Sequence, residues 1–107
     1  MPSTKSFLDY IMDQLSDVDN ISFRSMMGEY IIYYKEKVIG GIYDDRFLVK
    51  PVPTALKMMP DAEKALPYNG VNEMLTVEFI EDRIFLGRLI RAMYEELPSP
   101  KKNKHRL

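Results

Sequence analysis

The stretch from Phe23 to Lys50, FRSMMGEYIIYYKEKVIGGIYDDRFLVK, leaves this chain few folds to choose from. Glu29 to Tyr34 is rich in β-branched and aromatic residues, and Lys35-Glu36-Lys37 interrupts it with charge. Val38 to Tyr43 resumes the apolar run, Asp44-Asp45 breaks it, and Arg46 to Val49 completes it. Apolar runs of strand length separated by turn chemistry are the signature of an antiparallel meander with tight connections. Ile21 to Met26 reads as a first strand, with Ile21, Phe23 and Ser25 on one side. In the next strand Tyr30, Ile32 and Tyr34 face one way, Ile31 and Tyr33 the other. Both faces are substantially apolar, so the expectation is that helices or a partner cover both. Gly28 allows a turn or a bulge. Gly40-Gly41 inside a strand marks either a bulge or a place where a helix or another chain lies close to the backbone.

The flanks read as helix and strand. Residues 4 to 16 carry Phe7, Leu8, Ile11, Met12 and Leu15 on one helical face, with Asp9, Asp13 and Gln14 outward and Ser3 or Thr4 as cap. Pro51 and Pro53 end the meander, and Pro53 to Met59 predicts a short helix. Asp61 to Leu66 is expected to add one more helical turn, and Tyr68-Asn69-Gly70 a reverse turn. Met74 to Ile80 predicts a last strand with Leu75, Val77 and Phe79 inward. After a cap at Glu81-Asp82, residues 83 to 97 form a helix whose core stripe is Leu86, Leu89, Ile90, Met93 and Leu97. The predicted fold is therefore α+β: an antiparallel sheet of about five strands with helices packed on it, in the order α-β-β-β-β-α-β-α. Residues 1–97 form a single domain, and 98–107 a basic tail expected to be disordered.

Bulk properties exclude several classes of function. The chain of 107 residues has no cysteine, hence no disulfide framework, thiolate metal site or cysteine nucleophile. Its apolar runs fall far short of the about 20 residues that span a bilayer, so no membrane association is expected. Residues 1–20 hold four aspartates, one lysine and no long apolar core, unlike a secretory signal, so the expected location is cytoplasmic. The net charge of −1 hides an asymmetry, because the tail contributes +4 through Lys101, Lys102, Lys104 and Arg106 and leaves −5 for the body. A body of that sign repels phosphate backbones, so nucleic-acid binding is expected at most weakly, through the tail.

No catalytic constellation emerges. His105, the only histidine, lies among the tail lysines, where it suits neither a catalytic triad nor a zinc site. Asp44-Asp45 reads as a β-turn in preference to a metal site. Gly40-Gly41 does not lie between a strand and a helix, where phosphate-binding loops occur. Glu95-Glu96 reads as solvated surface. No cofactor and no metal are expected, and the chain is read as a non-enzyme. The adjacent methionine pairs Met26-Met27 and Met58-Met59 read as core filling, with partner recognition as the alternative. Tyrosines Tyr30, Tyr33, Tyr34, Tyr43 and Tyr68 suit either an interface or strands with wet tips.

Arg24-Ser25-Met26-Met27-Gly28-Glu29-Tyr30, followed by Tyr33, Asp44-Asp45-Arg46 and Lys50, resembles the N-terminal domain of the TfoX/Sxy family of competence regulators. The resemblance covers about residues 5 to 97. Two departures stand out: Met27 replaces the usual aromatic before Gly28, and Glu29 the usual glycine after it. The resemblance implies a standalone α+β domain of bacterial origin, related to competence and transcription regulators, with no catalytic residues to carry over. The second, helical domain of full-length family members has no counterpart up to Leu107. The motif singles out Arg24, Gly28, Tyr30, Tyr33, Asp45, Arg46 and Lys50 as a ligand or partner surface. One reading makes Gly28 a backbone necessity and Arg24 with Asp45 a structural ion pair. The other makes Arg24, Arg46 and Lys50 a cationic patch. Two functions follow as expectations. The first is a regulatory protein-interaction module, with a transcription regulator or a second copy of itself as partner. The second is a small anionic-ligand-binding protein or enzyme using the three cations.

Overall fold

The computed structural model describes residues 3–67 and 72–98. Helix α1 (Lys5–Gln14) is followed by strands β1 (Ile21–Met26), β2 (Glu29–Tyr34), β3 (Lys37–Ile42) and β4 (Phe47–Val49). Then come α2 (Pro53–Met58), β5 (Lys64–Ala65), β6 (Met74–Thr76) and α3 (Arg83–Met93), whose last turn tightens to a 3-10 turn at Tyr94–Glu96. The six strands form one antiparallel sheet in the order β1-β2-β3-β4-β6-β5. The α+β class and the meander agree with the sequence reading. The tail beyond Pro98 and the Tyr68-Asn69-Gly70 turn lie outside the described residues.

Three two-residue turns build the meander. Their central pairs, Met27-Gly28, Lys35-Glu36 and Asp44-Asp45, have φ of 52° and 86°, 50° and 72°, and 54° and 55°. Positive φ at both central residues is the type I′ geometry, whose twist matches that of the flanking strands. Only Gly28 adopts it without a side-chain penalty. Between Ile32 and Tyr33 the β2–β3 register shifts, which places a bulge at Ile39. The bulge presses Gly40 against β4: a Cβ there would lie 2.0 Å from the Leu48 carbonyl oxygen. The glycine pair thus sits beside a bulge at Ile39, where neighbouring strands of the same chain lie close to its backbone.

The three helices among the described residues feed one core. Leu8, Ile11 and Leu15 of the α1 region, Ala55 of α2, and Leu86, Leu89, Ile90 and Met93 of α3 cluster with Ile32, Tyr34, Ile39, Ile42, Phe47, Val49, Leu75 and Val77. Burying each such large side chain contributes about 1.5–3 kcal/mol. Leu97 closes the same cluster, so the expected α3 stripe is met in full. Polar contacts fix the helices to each other. Arg83 reaches Ser16 Oγ (2.7 Å), Asp13 (3.5 Å) and Asp17 (3.6 Å). Glu96 accepts from the Thr54 N–H (2.9 Å) and so caps α2. Lys37 Nζ donates to the Tyr94 carbonyl (3.1 Å) from 4.1 Å above the Tyr94 ring, tying the β2–β3 hairpin to the end of α3.

Four expectations are corrected. The segment read as a helical turn, Asp61 to Leu66, contains a strand, β5, because its backbone pairs with β6 at Lys64↔Leu75 and Ala65↔Met74. The last strand ends at Thr76, and Phe79, read as inward, is 56% exposed beside Phe85. Gln14, read as outward, is buried because its Nε2 donates to the Ile80 carbonyl (2.9 Å). Finally, the described helices cover one face of the sheet, so of the two expected covers helices do not serve the other face. Tyr43 and Leu48 are buried yet stand outside the helix-lined cluster, on the opposite side.

Candidate functional site

The face turned away from the helices is set by strand register. Across it Arg24 of β1 pairs with Ile31, Ile31 with Gly41, Gly41 with Leu48, and Leu48 with Thr76. Directly paired residues share a face, so these five form one lateral row. Arg46 and Lys50 lie two positions either side of Leu48 and therefore project to the same face. In the neighbouring row, Tyr33 pairs with Ser22 and Val38. Arg24, Tyr33, Arg46 and Lys50, four of the seven residues singled out by sequence, share this surface.

Its centre is apolar and largely buried. A Cβ at Gly41 would sit 2.5 Å from the Tyr30 carbonyl oxygen and 2.6 Å from the Tyr43 ring, so the missing side chain makes room for that ring. Leu48 is 0% exposed, while Ile31, Tyr33 and Val38 are half-buried. The Arg46 Nε donates to the Tyr43 carbonyl (3.2 Å), which holds the guanidinium at the margin. Burial lowers the Lys50 pKa from its usual value by desolvating the ammonium. Neither Arg24 nor Lys50 has an ion-pair or hydrogen-bond partner for its side chain among the described residues. Arg24 stands three strands away from Leu48, about 14 Å at the usual spacing. The cations frame a strip and do not converge on a point.

The other three singled-out residues have different work. Gly28 is the second residue of a type I′ turn. Tyr30 lies on the helix side, partly buried against the core, with its ring edge-on to Phe23 at 5.9 Å. Asp45 belongs to a polar clasp. Its Oδ1 accepts from the Thr4 N–H (2.8 Å) and Oγ1 (3.2 Å), and its own N–H donates to Ser3 Oγ (3.0 Å). The Arg24–Asp45 ion pair is not formed, because Asp45 turns toward the start of α1 instead.

Sequence reasoning missed the hub of that clasp, Glu29. Its carboxylate accepts from the Ser3 N–H and hydroxyl and from the Asp44 N–H. The signal was present: Glu29 is one of the two departures from the family pattern. Tyr34, Ile39 and Ile42 enter the core and leave Ile31, Tyr33 and Val38 to the open face.

Among the described residues no group of three or more His, Asp or Glu could hold a metal ion. No helix among them is long and apolar enough to cross a membrane. A small cleft of about 100 Å³ lies elsewhere, between Met58–Ala62 and Thr76–Phe79.

The chain is 29% identical, over 105 residues, to an uncharacterized 12.7 kDa protein in the trpE 5′ region of Spirochaeta aurantia. The match covers 97% of this chain and 91% of that protein. No family model matches the chain, and no solved structure matches it.

Proposed function

We propose that this protein is a non-catalytic regulatory interaction module, of the kind found at the N-terminus of TfoX/Sxy competence regulators, which docks an acidic segment of a protein partner on its helix-free sheet face. The partner class that goes with this reading is a transcription regulator, and the location that goes with it is cytoplasmic. The observation that carries it is the placement of Arg24, Arg46 and Lys50 on the same face as the half-buried apolar side chains of Ile31, Tyr33 and Val38. In a body of net charge −5, cations gathered on one face favour an acidic partner by steering and by specificity. Half-buried apolar residues spread along strands with the cations at their margins suit an extended or helical segment better than a small molecule, which favours a site where polar groups converge.

The test is affinity purification from the native cell with the wild-type chain and with a variant carrying Arg24→Glu, Arg46→Glu and Lys50→Glu. Proteins retained by the first and lost from the second, among them a transcription regulator, support the reading. An unchanged set of retained proteins overturns it.

A second reading, binding of a small anion, is favoured by one observation, the half-buried Lys50, whose ammonium has no ion-pair partner among the described residues. An anion seated there would restore the ammonium's stability. Thermal shift with phosphate, sulfate and citrate measures this directly, and an unchanged midpoint with all of them removes it.

A further inference from the structure

The two margins of the sheet are unlike each other. At one end β5 has two residues, and a margin that short is protected by its brevity. At the other end β1 runs for six residues, ISFRSM, with no proline, no lysine and no bulge against β2. Its four central residues are exposed. Of the usual guards against edge pairing, a single charge, Arg24, is in place.

The parity of the ladder tells which backbone groups β1 presents outward. The Lys35 N–H donates to the Asn20 carbonyl (3.0 Å), so Asn20 and Lys35 are a hydrogen-bonded pair. Bonded and non-bonded pairs alternate along antiparallel strands. Ser22, Arg24 and Met26 therefore bond to β2, while Ile21, Phe23 and Ser25 turn their N–H and C=O groups away from it. No described residue supplies those outward groups with a partner.

The side chains select what fits there. Phe23 pairs with Ile32 and so points to the helix side, yet it is 41% exposed, with the Tyr30 ring edge-on to its own. Arg24, the sole charge of β1, points to the open face. We propose that β1 is the interface of a homodimer, in which two copies pair antiparallel about a two-fold axis through Phe23 and continue one sheet into the other. In that register Phe23 exchanges both backbone hydrogen bonds with Phe23 of the second copy, and Ile21 does so with Ser25. The outward groups of all three residues are then satisfied, and the two exposed phenyl rings cover each other. Arg24 falls opposite Ser22 of the other copy. Moving the axis to Arg24 would set the two guanidiniums face to face, and moving it to Ser22 would set Ser25 opposite Asp19, outside β1, so charge and strand length together choose the Phe23 axis. The inference concerns the sheet margin and stands independently of what docks on the open face.

Sedimentation equilibrium of the full chain tests it. The expected result is a concentration-dependent species of twice 12.5 kDa. Ser25→Pro deletes an N–H that faces away from β2, a position where an edge strand tolerates proline. This variant is expected to sediment as a monomer with unchanged circular dichroism. Because the chain has no cysteine, Phe23→Cys and Arg24→Cys each introduce a sole thiol. A hydrogen-bonded pair holds its Cα atoms about 5.5 Å apart, within disulfide reach. Oxidised Phe23→Cys should then form a covalent dimer at least tenfold faster than Arg24→Cys. This comparison reads the register even if the proline variant fails to fold. A wild-type chain that stays monomeric, a folded Ser25→Pro dimer, or equal cross-linking of the two thiols overturns the proposal.

Discussion

The backbone N–H of Thr4 donates to the Asp45 carboxylate over 2.8 Å and joins the start of α1 to the β3–β4 turn. Thr4 also caps α1, its Oγ1 accepting from the Phe7 N–H at 3.2 Å. One carboxylate thus orients the cap, and its charge lies at the positive end of the helix. With Glu29 gathering Ser3 and the Asp44 N–H, two hairpin turns and a helix N-terminus are held as one unit.

Asp45→Ala removes the acceptor for Thr4 and places alanine at a φ of 55°. The lost charged hydrogen bonds and the left-handed backbone together should lower stability by about 2 kcal/mol. Asp45→Asn keeps an acceptor oxygen and a residue at ease with that backbone, and should cost about half as much. Urea denaturation of the two variants checks the order. Equal losses would show that charge alone matters at this position.

The glycine pair in β3 calls for a harsher substitution. Gly40→Ala would drive a methyl group to 2.0 Å from the Leu48 carbonyl oxygen, between two central strands whose backbones cannot part. The expected loss exceeds about 3 kcal/mol, beyond ordinary overpacking. A thermal midpoint within a few degrees of wild type would mean that the bulge at Ile39 can slide to absorb the methyl group.

That position shows how far sequence carried. A glycine pair inside an apolar run signals a local irregularity, and period-two parity correctly sent Tyr30 and Tyr33 to opposite sides. The hairpins and α3 were legible because each repeats its pattern over several residues. Strand β5 was not, since Lys64-Ala65 is too short to show any period and lies between prolines. Nor could alternation tell which apolar face is covered, because it reports where side chains point and not what meets them. Within the site, the shared parity of Arg46 and Lys50 around Leu48 follows from spacing. Arg24 joins them only once the two-residue turns fix the register. The partners of Asp45 and Glu29 were illegible because they lie far off in the chain, at Ser3 and Thr4 and, for Glu29, also at Asp44.

Lys50 gives a pH-dependent prediction. Burial lowers its folded-state pKa below that of the unfolded chain. Between the two values the unfolded state binds more protons, so stability rises with pH across that window, which ends near 10.5. Below the folded pKa the charged ammonium carries its full desolvation cost. Lys50→Met should therefore be more stable than wild type at neutral pH, with the difference shrinking toward pH 10.5. Chemical denaturation at a series of pH values reads this. A constant difference would show that Lys50 is solvated in solution.

The β1–β2 turn offers a gain in stability. Met27 is 94% exposed, so its side chain contributes no packing, and its φ of 52° places a long side chain in the left-handed region. Asparagine tolerates that conformation, and Asn-Gly is the preferred pair for a type I′ turn. Met27→Asn should raise stability by about 0.5–1 kcal/mol, and Gly28→Ala, at a φ of 86°, should lower it by about 1 kcal/mol. Thermal melts of the two variants at low protein concentration measure both effects. If Met27→Asn destabilises instead, Met27 is covered in solution by something outside the single chain. The turn adjoins β1, so repeating the melts at high concentration would show whether that cover is a second copy.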